Sequence, residues 1–218
     1  MRNHFDEQLV LLNKKLIEMG AQCERIIALS AKALLDGDME KADTVRKQGH
    51  FIDQSEREIE GICLKILLHQ QPVARDLRTV SAALKMITDM ERIGDQAEDI
   101  AEIVRFLGGR AGAECHGIRC MAEATIKMVT DSVDAYVKQD LALARAVSAY
   151  DDVVDAQFAE VKSTLINMLS ENSADGEYAL DLLMIAKYLE RIGDHATNLA
   201  EWVIFAVTGV HKSGEENE

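Results

Sequence analysis

A single proline, Pro72, occurs in the 218 residues of this chain. Proline breaks or kinks helices, so a chain that almost lacks it can form long uninterrupted ones. The rest of the sequence is rich in Leu, Ala, Met, Glu and Lys, which favour helix, while aromatic residues make up only 5%. Together these features predict an all-α fold.

Apolar residues recur at intervals of three and four, the period of one helix face, as at Leu9, Leu12 and Leu16. The breaks between such segments are rich in Gly, Asp, Asn or Ser, or carry Pro72. The pattern predicts six long helices, near residues 4–36, 39–70, 73–108, 116–138, 140–171 and 176–208. Because the connections are short, we expect neighbouring helices to pack antiparallel in bundles.

The pentapeptide Glu-Arg-Ile-Gly-Asp occurs twice, at residues 91–95 and 190–194, which is an offset of 99. Upstream, Asp53 matches Asp155 at an offset of 102. We assign the difference of three residues to the connection around Pro72, where an insertion costs little. The chain is therefore expected to contain two copies of one three-helix unit.

From this duplication we predict two tandem antiparallel three-helix bundles. The first is expected at residues 1–109 and the second at residues 113–210. The acidic end of the chain, residues 211–218, is predicted to be a disordered tail.

Charge and composition exclude several classes of function. The chain has 38 acidic and 24 basic residues, and its net charge of -14 repels phosphate backbones, so we expect no nucleic-acid partner. It has no secretory signal and no apolar run long enough for a bilayer span, so we expect no direct membrane insertion. Its four cysteines form no Cys-x-x-Cys pair. A cytoplasmic protein with reduced thiols is the expectation.

Acidic residues form a stripe on the helix that carries each pentapeptide. The first stripe is Glu91, Asp95, Glu98, Asp99 and Glu102, and the second is Glu190, Asp194, Asn198 and Glu201. The preceding helix adds Asp53 in the first unit, and Asp151 and Asp155 in the second. A solvated helix face has this composition, but so does an oxygen-lined groove for a hard or borderline cation. The spacing leaves both interpretations open.

Gly94 and Gly193 lie within the two pentapeptide helices. A glycine inside a helix costs about 1 kcal/mol relative to alanine, so a compensating gain is expected. Each glycine falls at the edge of the apolar face, which favours a close approach between helices over direct contact with a ligand.

Further motifs accompany the two pentapeptides. They are Gln-Gln-Pro-Val-Ala-Arg-Asp-Leu-Arg at residues 70–78 and Asp-Asp-Val-Val-Asp at residues 151–155. With these motifs, the chain resembles the PhoU family over nearly its whole length. The resemblance implies two three-helix bundles in a cytoplasmic protein, often a homodimer. It also implies a regulator of the phosphate ABC transporter ATPase and its sensor histidine kinase, which represses the phosphate-starvation response when phosphate is plentiful.

The resemblance also implies multinuclear iron or zinc sites, with other divalent cations possible, and no organic cofactor. The first set of metal ligands would be Glu91, Asp95, Asp99 and Asp53, and the second Glu190, Asp194, Asn198, Asp151 and Asp155. In the first copy, Gly49 stands where the second has Asp151, and His50 stands where it has Asp152. This difference predicts an incomplete ligand set at the first site.

Two other functions compete with a regulatory adaptor. A ferritin-like carboxylate metalloenzyme would need Glu-x-x-His pairs on facing helices, and the sequence contains none. No catalytic nucleophile and base are evident, so we expect no enzyme activity. A purely structural helical module, with acids that only face solvent, is the second alternative.

Overall fold

The computed structural model describes residues 2–70, 72–111, 116–171 and 175–210. These ranges contain six α-helices and no strand, which confirms the predicted all-α fold. The helices are α1 (Arg2–Asp36), α2 (Met39–Gln70), α3 (Arg75–Phe106), α4 (His116–Lys138), α5 (Leu141–Glu171) and α6 (Gly176–Thr208). Each predicted helix agrees with one of these to within two residues at either end.

The turn after the first helix of each unit has the same conformation. Gly37 lies between α1 and α2 with φ 62°, and Gln139 lies between α4 and α5 with φ 54°. The next residue in each case, Asp38 or Asp140, accepts a hydrogen bond of 3.0 Å from a backbone N–H in the first turn of the following helix. The duplication is therefore visible in the backbone as well as in the pentapeptides.

The two units differ in length at their helix ends. Between α2 and α3 lie residues 71–74, and between α5 and α6 lie residues 172–175, so the two connections are equally long. The extra residues of the first unit instead extend the ends of α2 and α3 that meet this connection. The prediction placed them in the connection around Pro72, and the helix bounds place them at these helix ends instead.

Each set of three helices packs together, α1 to α3 in one repeat and α4 to α6 in the other. The repeats meet along α3 and α6, and along α1 and α4, while α2 and α5 lie on the outside. At the centre of α3 and α6, Asp89 lies beside His195, and Asp99 lies beside Tyr188. These pairs show that α3 and α6 run antiparallel.

The apolar faces of α3 and α6, opposite their acidic stripes, are buried. They comprise Met86, Met90, Ile93, Ala97, Ile100 and Val104 on α3, and Ile185, Leu189, Ile192, Ala196 and Val203 on α6. One continuous hydrophobic core extends through both repeats. The acidic stripes therefore face away from this core, and burial of the apolar faces is the main stabilising term for both helices.

Within the described ranges, no helix combines the length and the apolarity that a membrane crossing requires. Cys23 and Cys63 are buried free thiols, and Cys120 is a half-buried one. Burial raises the pKa of both buried thiols to about 12. Residue 113, where the second repeat was predicted to begin, and the predicted disordered tail at 211–218 lie outside the described residues.

Candidate functional site: two acid clusters

Glycine in the pentapeptides brings two helices close together in each repeat. A Cβ atom built on Gly94 would lie 3.0 Å from Cδ1 of Ile52 on α2. A Cβ atom on Gly193 would lie 3.4 Å from Cγ1 of Val154 on α5, the residue equivalent to Ile52. The predicted close packing at both glycines is confirmed, and it brings the acidic residues of each helix pair to one cleft.

We call the acidic side chains in the cleft between α2 and α3 cluster one. Its members are Asp53, Glu56, Glu91, Asp95 and Glu98. Burial, and then the charge of Asp95, raises the pKa of Glu91. Burial, and then the charges of Asp53 and Asp95, raises the pKa of Glu98 to about 7. These carboxylates crowd one another, which makes the cleft attractive to a cation.

Cluster one has one cationic neighbour that bridges two of its members. Arg92 lies 3.6 Å from Glu91 and 3.4 Å from Asp95, measured from guanidinium nitrogen to carboxylate oxygen. The side chain of Arg92 is mostly exposed to solvent, so these ion pairs contribute little to stability. Arg92 therefore balances only part of the local negative charge.

Cluster two lies in the cleft between α5 and α6. Its members are Asp151 and Asp155 on α5 and Glu190 and Asp194 on α6. Burial, and then the charges of Asp194 and Asp155, raises the pKa of Asp151. Burial, and then the charge of Glu190, raises the pKa of Asp194. The structure thus brings together the four acids that the sequence predicted for the second site.

Two of the residues predicted as metal ligands face the other repeat instead. Asp99 lies beside the hydroxyl of Tyr188 on α6. Asn198 donates one of 3.2 Å to Asp89 on α3, and Nδ1 of His195 lies 2.9 Å from the same carboxylate oxygen. We call these residues the seam between the repeats.

Sequence reasoning missed Asp89 and Tyr188 as seam residues. The offset of 99 relates Asp89 to Tyr188 and Asp99 to Asn198, so the two seam contacts are copies of each other. This relation could have identified the seam from the sequence, but only with the knowledge that α3 packs against α6.

Carboxylates are suitable ligands for hard and borderline divalent cations, and each cluster supplies them from two neighbouring helices. As the side chains stand, however, no three His, Cys, Asp or Glu residues of the described chain lie close enough together to hold a metal ion. Each cluster therefore offers the donor chemistry without a preformed ligand set. A bound cation would have to draw the carboxylates inward against their mutual repulsion.

Two tandem three-helix units, each with an acid cluster between its second and third helices, define a duplicated all-α bundle protein. The chain belongs to the PhoU family: the PhoU domain matches it twice, at residues 16–104 and 118–203. The resemblance drawn from the repeated motifs is thereby confirmed.

Relatives of known designation match almost the entire chain. A phosphate-specific transport system accessory protein PhoU homologue of Clostridium acetobutylicum is 36% identical, over 95% of this chain and 96% of its own length. A protein of the same designation from Pseudomonas aeruginosa is 34% identical, over 94% of this chain and 86% of its own. The crystal structure of PhoU from P. aeruginosa superposes with a TM-score of 0.88 at 34% identity, covering 94% of this chain and all of that structure's chain.

Proposed function

We propose that this chain is an accessory protein of phosphate transport that regulates phosphate uptake and the response to phosphate starvation. The observation that carries the proposal is the match to the PhoU family across both repeats, with relatives designated as accessory proteins of the phosphate-specific transport system. The chain would act by contact with other proteins and not by turnover of a substrate. It would repress the starvation response when phosphate is plentiful.

The proposed partners are the ATPase of a phosphate ABC transporter and a sensor histidine kinase. Contact with an ATPase subunit and a kinase domain would place this chain in the cytoplasm. A homodimer is part of the proposal, and light scattering during gel filtration would then give twice the chain mass of 24.2 kDa.

The test of the regulatory role uses the intact chain in its host. Deleting the gene should switch on a phosphate-starvation reporter in phosphate-rich medium, and the wild-type gene should restore repression. A tagged chain should recover both the transporter ATPase and the kinase from membranes of phosphate-replete cells. A host without those two partners is the control. Recovery of neither partner, together with a silent reporter after deletion, would contradict the proposal.

We further propose that the two acid clusters bind iron, zinc or another divalent cation. The support is the donor set itself: carboxylates from two helices share each cleft, and burial, followed by the charge of neighbouring carboxylates, raises the pKa of Glu91, Glu98, Asp151 and Asp194. Such an ion would neutralise the cleft and join the two helices that supply its ligands. It would give the chain a charge state that a partner can distinguish.

Elemental analysis of protein purified without chelator or affinity tag tests this second proposal. The wild-type chain should retain metal, and the double variant Glu190→Ala and Asp194→Ala should lose the portion held by cluster two. A double variant of acids away from both clusters, Glu7→Ala and Glu18→Ala, is the matched control and should keep its metal. If the cluster variant has the same metal content as the wild-type chain, the acids of cluster two only face solvent and bind no metal. Rapid saturable oxidation of added ferrous iron would indicate a ferritin-like enzyme.

A further inference from the structure

Exposed apolar side chains lie where α3 ends and α6 begins. Phe106 of α3 is 76% exposed, and Leu180 and Met184 of α6 are 59% and 45% exposed. Single apolar side chains are common on any protein surface, whereas a contiguous group of them marks a contact with another molecule. The position of these three residues relative to one another therefore decides what they signify.

The seam shows how α3 and α6 lie alongside each other. Its two contacts are ten residues apart on each helix, so the antiparallel helices keep one register. This register places Met184 of α6 opposite Ile103 of α3, which is half-buried. One turn nearer the helix ends, it places Leu180 opposite Leu107, the neighbour of Phe106. The three exposed side chains therefore form one surface across both helices, and we call Phe106, Leu180 and Met184 the apolar patch.

The equivalent surface at the other end of the two helices is polar. Leu180 and Met184 of α6 correspond to Ser81 and Lys85 of α3, at the offset of 99. Both helices bury an equivalent apolar face, so the fold accepts polar side chains at these two positions. Leu180 and Met184 are therefore not explained by the packing of the core.

The aromatic residue of the apolar patch also differs from its equivalent. The counterpart of Phe106 is Phe205, which is half-buried. Phe205 packs edge to face against Trp202, with ring centroids 5.9 Å apart. One end of this face thus exposes an aromatic ring that the other end covers.

The cations next in sequence to the apolar patch have carboxylate partners. Arg105 lies 3.2 Å from Asp43, Arg110 lies 2.8 Å from Asp175, and Lys187 pairs with Glu190. These side chains therefore add little net positive charge to the surface around the patch.

Three acids around the apolar patch form no ion pair within the described part of the chain. They are Glu102 and Glu177, which are exposed, and Asp181, which is half-buried. The rim of the patch is therefore negative, as is the whole chain with its net charge of -14. A second copy of the chain or an anionic membrane surface would be repelled here, whereas a basic partner would be attracted.

We propose that the apolar patch is the docking surface for an amphipathic helix of a partner protein, whose apolar side chains are flanked by Lys or Arg. The inference rests on the proposed function, in which the chain acts by contact with other proteins, and it names one surface for that contact. The apolar anchors of the helix would cover Phe106, Leu180 and Met184. Its basic residues would lie against the acids of the rim, which favours encounter with this partner over acidic ones.

Photocrosslinking in phosphate-replete host cells tests which molecule covers the apolar patch. A benzophenone amino acid replaces Met184 in the full chain, and mass spectrometry identifies the segment attached to it. In the matched control it replaces Lys85, the equivalent exposed position on α3. The segment attached at position 184 should carry apolar residues flanked by Lys or Arg, and the control should not capture it.

Every other product of the crosslinking overturns the inference. Such products are a second copy of the chain, a lipid, a segment without the basic amphipathic pattern, the same segment from both positions, or no adduct at all. If a basic amphipathic segment is attached but belongs to neither the transporter ATPase nor the kinase, the inference holds and the partners named under the proposed function are wrong.

Substitutions separate the apolar contribution from the charged one. Leu180→Ser with Met184→Lys introduces the residues of the equivalent positions on α3, and should lower recovery of the crosslinked partner about tenfold or more, at an unchanged melting temperature. The matched control, Ser81→Ala with Lys85→Ala, should retain full recovery. Full recovery with the Leu180 and Met184 variant would overturn the inference and leave the proposed function standing.

Glu102→Lys with Glu177→Lys tests the negative rim, because both side chains are exposed and their replacement disturbs no packing. Recovery of the partner should fall about threefold or more at low salt, and less at high salt, because added salt screens the charges. Recovery equal to that of the wild-type chain at low salt would show that the partner is not selected by its basic residues, and would overturn that choice of occupant.

Discussion

Cluster one and cluster two lie on equivalent pairs of helices, α2 with α3 and α5 with α6, but differ in their side chains. The glycine that allows close approach, the apolar residue it packs against and the aspartate that caps the outer helix recur in both repeats. Asp53, Glu91 and Asp95 recur as Asp155, Glu190 and Asp194. The other two acids of cluster one do not recur, since Glu56 and Glu98 have Phe158 and Thr197 as equivalents. The packing of the two helices is therefore more similar between the repeats than the positions of their acidic residues.

The largest difference between the repeats in the effect of a substitution on stability is expected in the turn after the first helix. Gly37→Gln should destabilise the chain by about 2–4 kcal/mol, because φ is positive there and a Cβ atom would lie 2.3 Å from the carbonyl oxygen of Gly109. The reverse change, Gln139→Gly, should alter stability by less than about 0.5 kcal/mol, because relief of the positive φ offsets the loss of the side-chain hydrogen bond to Tyr136. Urea denaturation of both variants measures the difference. Equal losses would show that the contact with Gly109 is unimportant.

Gly94 and Gly193 occupy equivalent positions in the two repeats, so the effects of their substitution on stability can be compared directly. Gly94→Val and Gly193→Val should each cost about 1–3 kcal/mol through overpacking, with the larger loss at Gly94, where the contact to Ile52 is tighter. Thermal unfolding followed by circular dichroism gives both values. The alanine variants serve as controls, because their gain in helix propensity opposes the tighter contact. A larger loss at Gly193 would contradict the difference in packing.

The two clusters should also differ in their dependence on pH. The pKa of Glu98 rises from 4.5 to about 7 on folding, so the folded chain binds more protons than the unfolded chain between these values. Stability should therefore fall as pH rises through this window, by about 1 kcal/mol after allowance for the partial exposure of the group.

Melting curves in chelator at pH 5 and pH 7.5 measure this dependence. Glu98→Gln should remove most of it, whereas Asp151→Asn should remove less, because the pKa of Asp151 is raised less strongly than that of Glu98. The same slope in the wild-type chain and in Glu98→Gln would show that Glu98 is not the group responsible.

Substitutions at the seam are expected to have the smallest effect on stability. Tyr188→Phe removes the hydroxyl that lies beside Asp99 and should cost about 0.5–1 kcal/mol. In a double-mutant cycle, Tyr188→Phe and Asp99→Asn should be coupled, while Tyr188→Phe and Asp89→Asn should be additive. Coupling of the same size in both cycles would mean that the repeats shift as a whole when either contact is lost.

The helices, their faces and the duplication could be predicted because each leaves a local or periodic signal. The apolar face of α3, from Met86 to Val104, follows from spacing alone, and the structure buries it. The seam could not be predicted in this way, because the contact of Asp99 with Tyr188 depends on which helices of the two repeats meet. Glu98 was visible in the acidic stripe, but its place over Gly49 depends on how closely α2 and α3 approach.

The seam makes each half of the molecule a better partner for the other half than for a copy of itself. Pairing α3 with a second α3 in the same geometry would set Asp89 of one chain against Asp99 of the other, and the two anions would repel. Pairing α3 with α6 instead sets Asp89 against Asn198, which donates a hydrogen bond to it, and Asp99 against the uncharged hydroxyl of Tyr188. Divergence after duplication has thus encoded mutual recognition between the halves and discourages isolated first repeats from associating through α3.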